Sequence, residues 1–160
     1  MTDSEILENI PAVSPVSRLV WTAIVDVADR QDLGPAAGGH RFIVPILGGR
    51  FYAGPAFDGL SGAVLPGGAD RQFLRADGVK ELDALYEMQI EGGPVITVRN
   101  RVIVDETRKP ERYAMSAIQA RVEEGPFGWL NRRLLIGTLL SARPGRQAVI
   151  IRAWEVDTPR

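Results

Sequence analysis

The stretch "LGGRFYAGPAFDGLSGAVLPGGADRQ", Leu47–Gln72, decides the reading of this chain, because seven of its 26 residues are glycine. Glycines this dense serve either a phosphate cradle or strongly bent β-structure. A phosphate-binding P-loop needs G-x-x-x-x-G-K-[ST], whose lysine and hydroxyl meet the phosphates and the metal. No lysine occurs in this stretch, and Lys80 beyond it is followed by Glu81. A dinucleotide fingerprint needs a strand before it and a helix opening at its last glycine. No helical pattern surrounds "GGADRQFLRADG" (67–78). The glycines therefore read as sites of positive φ, bulges and close strand approach, the devices by which a curved sheet closes into a barrel.

The flanking sequence supports that reading. In "LVWTAIVDVAD", Leu19, Trp21, Ala23, Val25 and Val27 share one face at the period of two that marks a strand. "QDLGPAAGGH" (31–40) reads as a turn-rich loop, and "RFIVPIL" (41–47) as a short strand placed by its proline at an edge or bend. "ELDALYEMQI" alternates, with Ala84, Tyr86, Met88 and Ile90 together; "EGGP" (91–94) closes a hairpin into "VITVRNRVIV" (95–104), the clearest strand of the chain. "YAMSAIQARVE" reads as a further strand, "EGPFGWLNRRLLIGTLL" as a turn with an apolar run open to helix or strand, and "AVIIRAWEV" as the last strand. The sum is nine or ten short strands with at most one short helix. That pattern predicts an all-β fold, a single antiparallel β-barrel over residues 18–160, preceded by an N-terminal arm, 1–17, in which "SEILENI" forms one or two helical turns.

With 160 residues, 45% of them hydrophobic, the chain has the length and apolar content of one domain with a real core. It has no cysteine, which removes disulfides and thiolate metal sites and fits a cytoplasmic location. The acidic "MTDSEILENIPAVSP" lacks the pattern of a signal peptide, and no apolar run reaches the length of a membrane span. A formal net charge of −1 argues against a nucleic-acid partner. His40 is the only histidine, so neither a zinc site nor a Ser-His-Asp triad is expected, and no G-x-S-x-G elbow occurs. No metal and no cofactor are expected.

Four further segments carry a resemblance. "GGRF-x-GP" near 48–55, "G-x-VLPGGAD" at 62–70, "LDALY" at 82–86 with "VRNR" at 98–101, and "WLN" at 129–131 stand in an order and spacing similar to those of the uncharacterised family known as domain of unknown function 3237, or UPF-0311. The resemblance runs from about Arg18 to Val156. It implies a calycin-like, lipocalin-like barrel with an internal cavity and implies no particular reaction. Arg71 and Leu85 depart from the family pattern, which commonly has tryptophan and arginine there; a different ligand would follow if the second position contacts it.

Candidate site residues are polar groups on faces that a barrel would bury, since an unpartnered buried polar group costs about 1–3 kcal/mol. Asn100 is the odd member of the face Ile96, Val98, Asn100, Val102 and Val104. It either contacts a ligand or bonds a neighbouring loop. Arg101 lies on the opposite face unless a bulge at Asn100 turns it inward. Tyr86 is either a core tyrosine or a phenol that donates to a substrate. Asp83 and Asp70 are each either turn caps or carboxylates of the site. Trp129 and Asn131, two residues apart, face one way if that segment is extended and would suit one barrel mouth; Tyr113 is a weaker candidate of the same kind.

Three functions are open at this level. The first is a barrel that binds a small organic ligand through Asn100, Arg101, Trp129, Asn131 and Tyr113, with Tyr86. The second is a metal-free isomerase, cyclase or lyase, with Tyr86 as acid, Asp83 or Asp70 as base, and Asn100 or Arg101 stabilising an oxyanion. The third is a homodimeric interaction module, in which "LLIGTLL" (134–140) supplies an apolar interface.

Overall fold

A computed structural model describes residues 1–160. In chain order it contains helix α1 (Asp3–Asn9) and strands β1 (Val16–Val27), β2 (Gln31–Ala36), β3 (Gly39–Ala53), β4 (Gly62–Val64), β5 (Ala69–Arg75), β6 (Lys80–Ile90), β7 (Val95–Asp105), β8 (Tyr113–Arg121), β9 (Leu135–Ser141) and β10 (Ala148–Asp157). A short 3-10 helix, Gly128–Arg132, precedes β9.

The strands form one antiparallel sheet that closes on itself as an eight-stranded barrel with two extra strands. Around the ring the order is β1, β10, β9, β8, β7, β6, then β4 and β5 end to end, then β3. Pairing of β1 with β3, from Trp21↔Ala53 to Val27↔Ile46, closes it. The glycine-rich stretch builds that seam. Gly49 has φ of +136°, and a Cβ there would run into the Ile24 carbonyl of β1. Gly68 lies so close to β6 that a Cβ would sit 2.6 Å from the Tyr86 Cβ. No helix starts nearby, so the glycines serve curvature and close approach.

Two segments differ from their sequence reading. Residues 31–36 form β2, a hairpin strand on β3, because Gly34 and Gly38 take positive φ and let a Gly- and Pro-rich segment pair. "RFIVPIL" belongs to a 15-residue strand that Gly48 and Gly49 bend without breaking. The N-terminal helix is capped by Thr2 and Glu5 and buries no side chain.

The two ends of the barrel differ. At one end the 3-10 helix and the 54–61 loop cover the opening: Leu60 and Leu130 are buried there, and the Phe57 and Trp129 rings stack 5.1 Å apart. The half beneath is packed solid by Trp21, Phe51, Tyr86, Met88, Ile90, Ile96 and Val98, each fully buried, and each contributes about 1.5–3 kcal/mol of apolar burial. The Glu155 carboxylate, also buried at this end, is met by Arg18 at 3.1 Å and Arg133 at 3.7 Å. The other end carries the β1–β2, β5–β6, β7–β8 and β9–β10 connections and no helix.

Candidate functional site

Strand register builds a polar row at mid-barrel. Asp70 of β5 pairs with Ala84 of β6, and Ala84 pairs with Asn100 of β7. All three side chains point inward, by the alternation that also buries Leu82, Tyr86, Val98 and Val102. Ala84 is the smallest member of its face, so the space between Asp70 and Asn100 is left open. Tyr86, one inward position deeper on β6, forms the floor.

Above this row the barrel is hollow. A cavity of about 540 Å³ runs from Tyr86 to the open mouth, between walls that include Val25, Val44, Ile46, Val102, Leu139 and Ile151. Three residues that line it each carry a buried polar atom without a hydrogen-bond partner: Asp70 Oδ1, Tyr86 OH and Asn100 Oδ1. Trp21 Nε1, Ser116 Oγ and Trp154 Nε1 also lack partners, so an orphaned atom alone does not define a site; three around one cavity do. The other Asp70 oxygen accepts from Gln72 Nε2 at 2.9 Å.

Burial raises the Asp70 carboxyl above its ordinary value, against the lowering effect of the Gln72 hydrogen bond. Burial also pushes the Tyr86 phenol far above the usual range, and the Asp70 charge adds to that. Tyr86 is therefore a neutral donor at physiological pH. Asn100 Oδ1 accepts, and Asp70 Oδ1 accepts when ionised or donates when protonated. The floor is complementary to a group that both accepts and donates hydrogen bonds, such as a hydroxyl or an enolisable carbonyl.

The other candidates lie elsewhere. Asp83 is on the outer face, where Arg99 holds it with two hydrogen bonds of 3.1 and 2.9 Å and keeps its carboxyl below the ordinary value. It shares no space with Tyr86. Arg101 also stays outside, because β7 pairs with β6 and β8 without a bulge at Asn100. Trp129 and Asn131 are not extended; they sit in the 3-10 helix at the closed end. There Trp129 caps the core, and Asn131 accepts from Val122 N at 2.9 Å and donates to Val122 O at 2.8 Å, tying the helix to the end of β8. Tyr113 is exposed on the outer surface. It borders an external groove of about 780 Å³ together with Arg71, Asp83, Arg101 and Ile136. Leu135 is part of the core, whereas Ile136 faces that groove.

Residues that sequence reading missed are Gln72, on the inward face with Asp70, and a set of charged groups at the mouth. Lys80 was accessible by parity, since it shares the face of Leu82, Ala84 and Tyr86. Arg30, Arg112 and Arg143 come from loops far apart in sequence and meet only through barrel closure. No cluster of three or more His, Cys, Asp or Glu side chains is arranged to hold a metal ion, and no helix is long and apolar enough to cross a membrane.

A small closed antiparallel barrel with one capped end, one open end and a polar floor is thus the class of protein the fold defines. The chain belongs to the family described as "Protein of unknown function (DUF3237)", whose model matches residues 15–156. The UPF0311 protein RPA1785 of Rhodopseudomonas palustris is 32% identical over 147 residues, 84% of this chain and 92% of that protein. Its crystal structure, described as that of a conserved protein of unknown function, superposes with a TM-score of 0.80 and 27% identity over 91% of this chain and 100% of that one. A "beta-barrel like protein" of Acinetobacter baumannii has the same fold at a TM-score of 0.79 and 22% identity, covering 92% and 99% of the two chains. So does a protein from Penicillium herquei described as an enzyme, with a TM-score of 0.69 and 18% identity over 92% and 97%.

Proposed function

We propose that this chain binds a small organic molecule inside the barrel, in the manner of calycin-type barrels, with Tyr86, Asn100 and Asp70 fixing the polar end of the ligand. One observation carries the reading: three residues that line a single cavity of about 540 Å³ each carry an unpartnered buried polar atom. That volume is in the range of small-molecule sites. Each orphan costs the fold about 1–3 kcal/mol, which a ligand's hydrogen bonds recover. The test is saturation-transfer NMR with a library of hydroxylated and carbonyl-bearing ring compounds, on the natural protein and on Tyr86→Phe and Asn100→Leu. Binders whose affinity falls at least tenfold in folded variants are expected. A library in which every binder ignores both substitutions would overturn the reading.

A second reading, acid–base catalysis without a cofactor, is favoured by the raised carboxyl of Asp70 beside the neutral phenol of Tyr86. In it Asp70 takes a proton from the bound molecule and returns it at another atom, while the Tyr86 hydroxyl donates a hydrogen bond to the developing oxyanion and Asn100 steadies the intermediate. The description of the Penicillium herquei protein as an enzyme fits this use of the fold. Turnover of a bound compound that Asp70→Asn abolishes while binding persists would separate catalysis from carriage. Self-association through the outer groove at Ile136 and a cytoplasmic location complete the proposal.

A further inference from the structure

The charged groups at the cavity mouth narrow the ligand class. Four cationic side chains line it, Arg30, Lys80, Arg112 and Arg143, against two carboxylates, Asp29 and Glu106. Both carboxylates are already engaged: Glu106 accepts from Arg112 at 3.3 Å, and Asp29 accepts from Gln147 at 3.1 Å. Arg112 is spent further on the Leu139 carbonyl at 2.9 Å. Lys80 and Arg143 make no side-chain hydrogen bond or ion pair. The Arg30 guanidinium has only the Phe42 ring, 3.8 Å below it. Stacking of this kind fixes a guanidinium in place without using its donors. Three cations without a side-chain hydrogen bond or ion pair therefore stand around one opening, with Lys80 acting on Asp70 and Arg30 on Asp32 only through longer-range charge; low-dielectric walls strengthen their field on anything that enters.

The floor has the opposite character. It carries Asp70, whose ionisation burial already disfavours, and the same desolvation disfavours an anionic group of a ligand at that depth. The two ends are also spaced for one molecule. Lys80 and Ala84 both point inward, four residues apart on β6; at about 3.4 Å per residue and a strand tilt of 35–45°, the Lys80 backbone stands about 10 Å above the polar row.

We infer that the cavity selects organic anions: molecules with a carboxylate held among Lys80, Arg143 and Arg30 at the mouth and a hydroxyl or carbonyl group at the Tyr86–Asn100–Asp70 floor, the two about 10 Å apart. The inference rests on the proposed binding function and adds the charge and length of the ligand.

Three acid–amide pairs test it: 4-hydroxybenzoate, 4-hydroxycinnamate and 4-(4-hydroxyphenyl)butyrate, each against its neutral carboxamide. Dissociation constants are measured by isothermal titration calorimetry at pH 7.5 on the natural protein, on Lys80→Met/Arg143→Gln and on Asn100→Leu. The expected result is that at least one acid binds about tenfold tighter than its amide, that the preference shrinks in 0.5 M salt, and that the double variant brings acid and amide to parity without changing the melting temperature. Screening of this kind is strong at a solvated mouth. Acid and amide binding equally well, both weakened by Asn100→Leu, would refute the selection of anions and leave the cavity as a binding site. An acid preference that survives the double variant would place the anion elsewhere and refute the inference as well. Failure of all six compounds to bind would overturn both the inference and the binding function beneath it.

Discussion

Replacement of Asn100 by leucine separates a site residue from a structural one. Asn100 is 1% exposed, and its Oδ1 has no hydrogen-bond partner. A structural asparagine in that position would be bonded to a turn or a neighbour, and its loss would destabilise the fold. Here leucine, nearly isosteric with asparagine, replaces the orphaned amide by two methyl groups and relieves about 1–2 kcal/mol. For a chain of this length 1 kcal/mol corresponds to about 2–4 °C, so the melting temperature of Asn100→Leu should rise by about 2–8 °C. The same substitution should abolish binding of hydroxylated ring compounds. Differential scanning calorimetry of the ligand-free protein reads the first effect, and calorimetric titration reads the second. Stabilisation with loss of binding is the expected pair, the ordinary trade between stability and a preformed site. A fall of several degrees would refute the reasoning, because it would mean that Asn100 holds the barrel together.

Asp70→Asn should also stabilise, in a pH-dependent way. The folded carboxyl of Asp70 lies above its unfolded value, so its contribution to stability is full below the unfolded value and is lost as pH rises through the folded one. The melting-temperature difference between Asp70→Asn and the natural protein should therefore grow from pH 3.5 to pH 7; a flat difference counts against a buried carboxyl. Gly49→Ala forces a Cβ into β1 at positive φ and should cost at least about 2 kcal/mol in denaturant titrations. Asn131→Ala strips two hydrogen bonds from the Val122 backbone and should cost about 1–3 kcal/mol, with ligand affinity unchanged because it acts at the closed end. Asp83→Asn, at a half-exposed ion pair, should change stability by less than about 1 kcal/mol and leave binding intact. Loss of binding there would bring the outer face into the site.

Much of this was legible in the sequence because barrel strands keep a strict period of two. Parity along "ELDALYEMQI" and "VITVRNRVIV" set Tyr86 and Asn100 among apolar neighbours and Asp83 among outward ones, and the structure keeps those faces. Asp70 was harder. It follows "PGGA", where an aspartate commonly caps a turn, and only pairing of β5 with both β3 and β6 turns it inward. Trp129 and Asn131 depended on an extended backbone that the "EGPFGWLN" segment does not adopt; Gly125 at positive φ sends it into a 3-10 helix across the barrel end. The mouth cations were only partly legible: parity along β6 places Lys80 on the inward face, but Arg30 and Arg143 come from loops distant in sequence, and no local pattern predicts that they converge. Residues 31–36 were read as a loop on their Gly and Pro content, yet strand β3 supplies the partner that makes them a strand.

The most direct test of the central claim is a high-resolution crystal structure of the protein soaked with 4-hydroxycinnamate. The account predicts density along the cavity, with the phenol within hydrogen-bond distance of Tyr86 OH, Asn100 Oδ1 or Asp70 Oδ1 and the carboxylate among Lys80, Arg143 and Arg30. An empty cavity in which those three floor atoms are bonded to one another or to neighbouring side chains would contradict it.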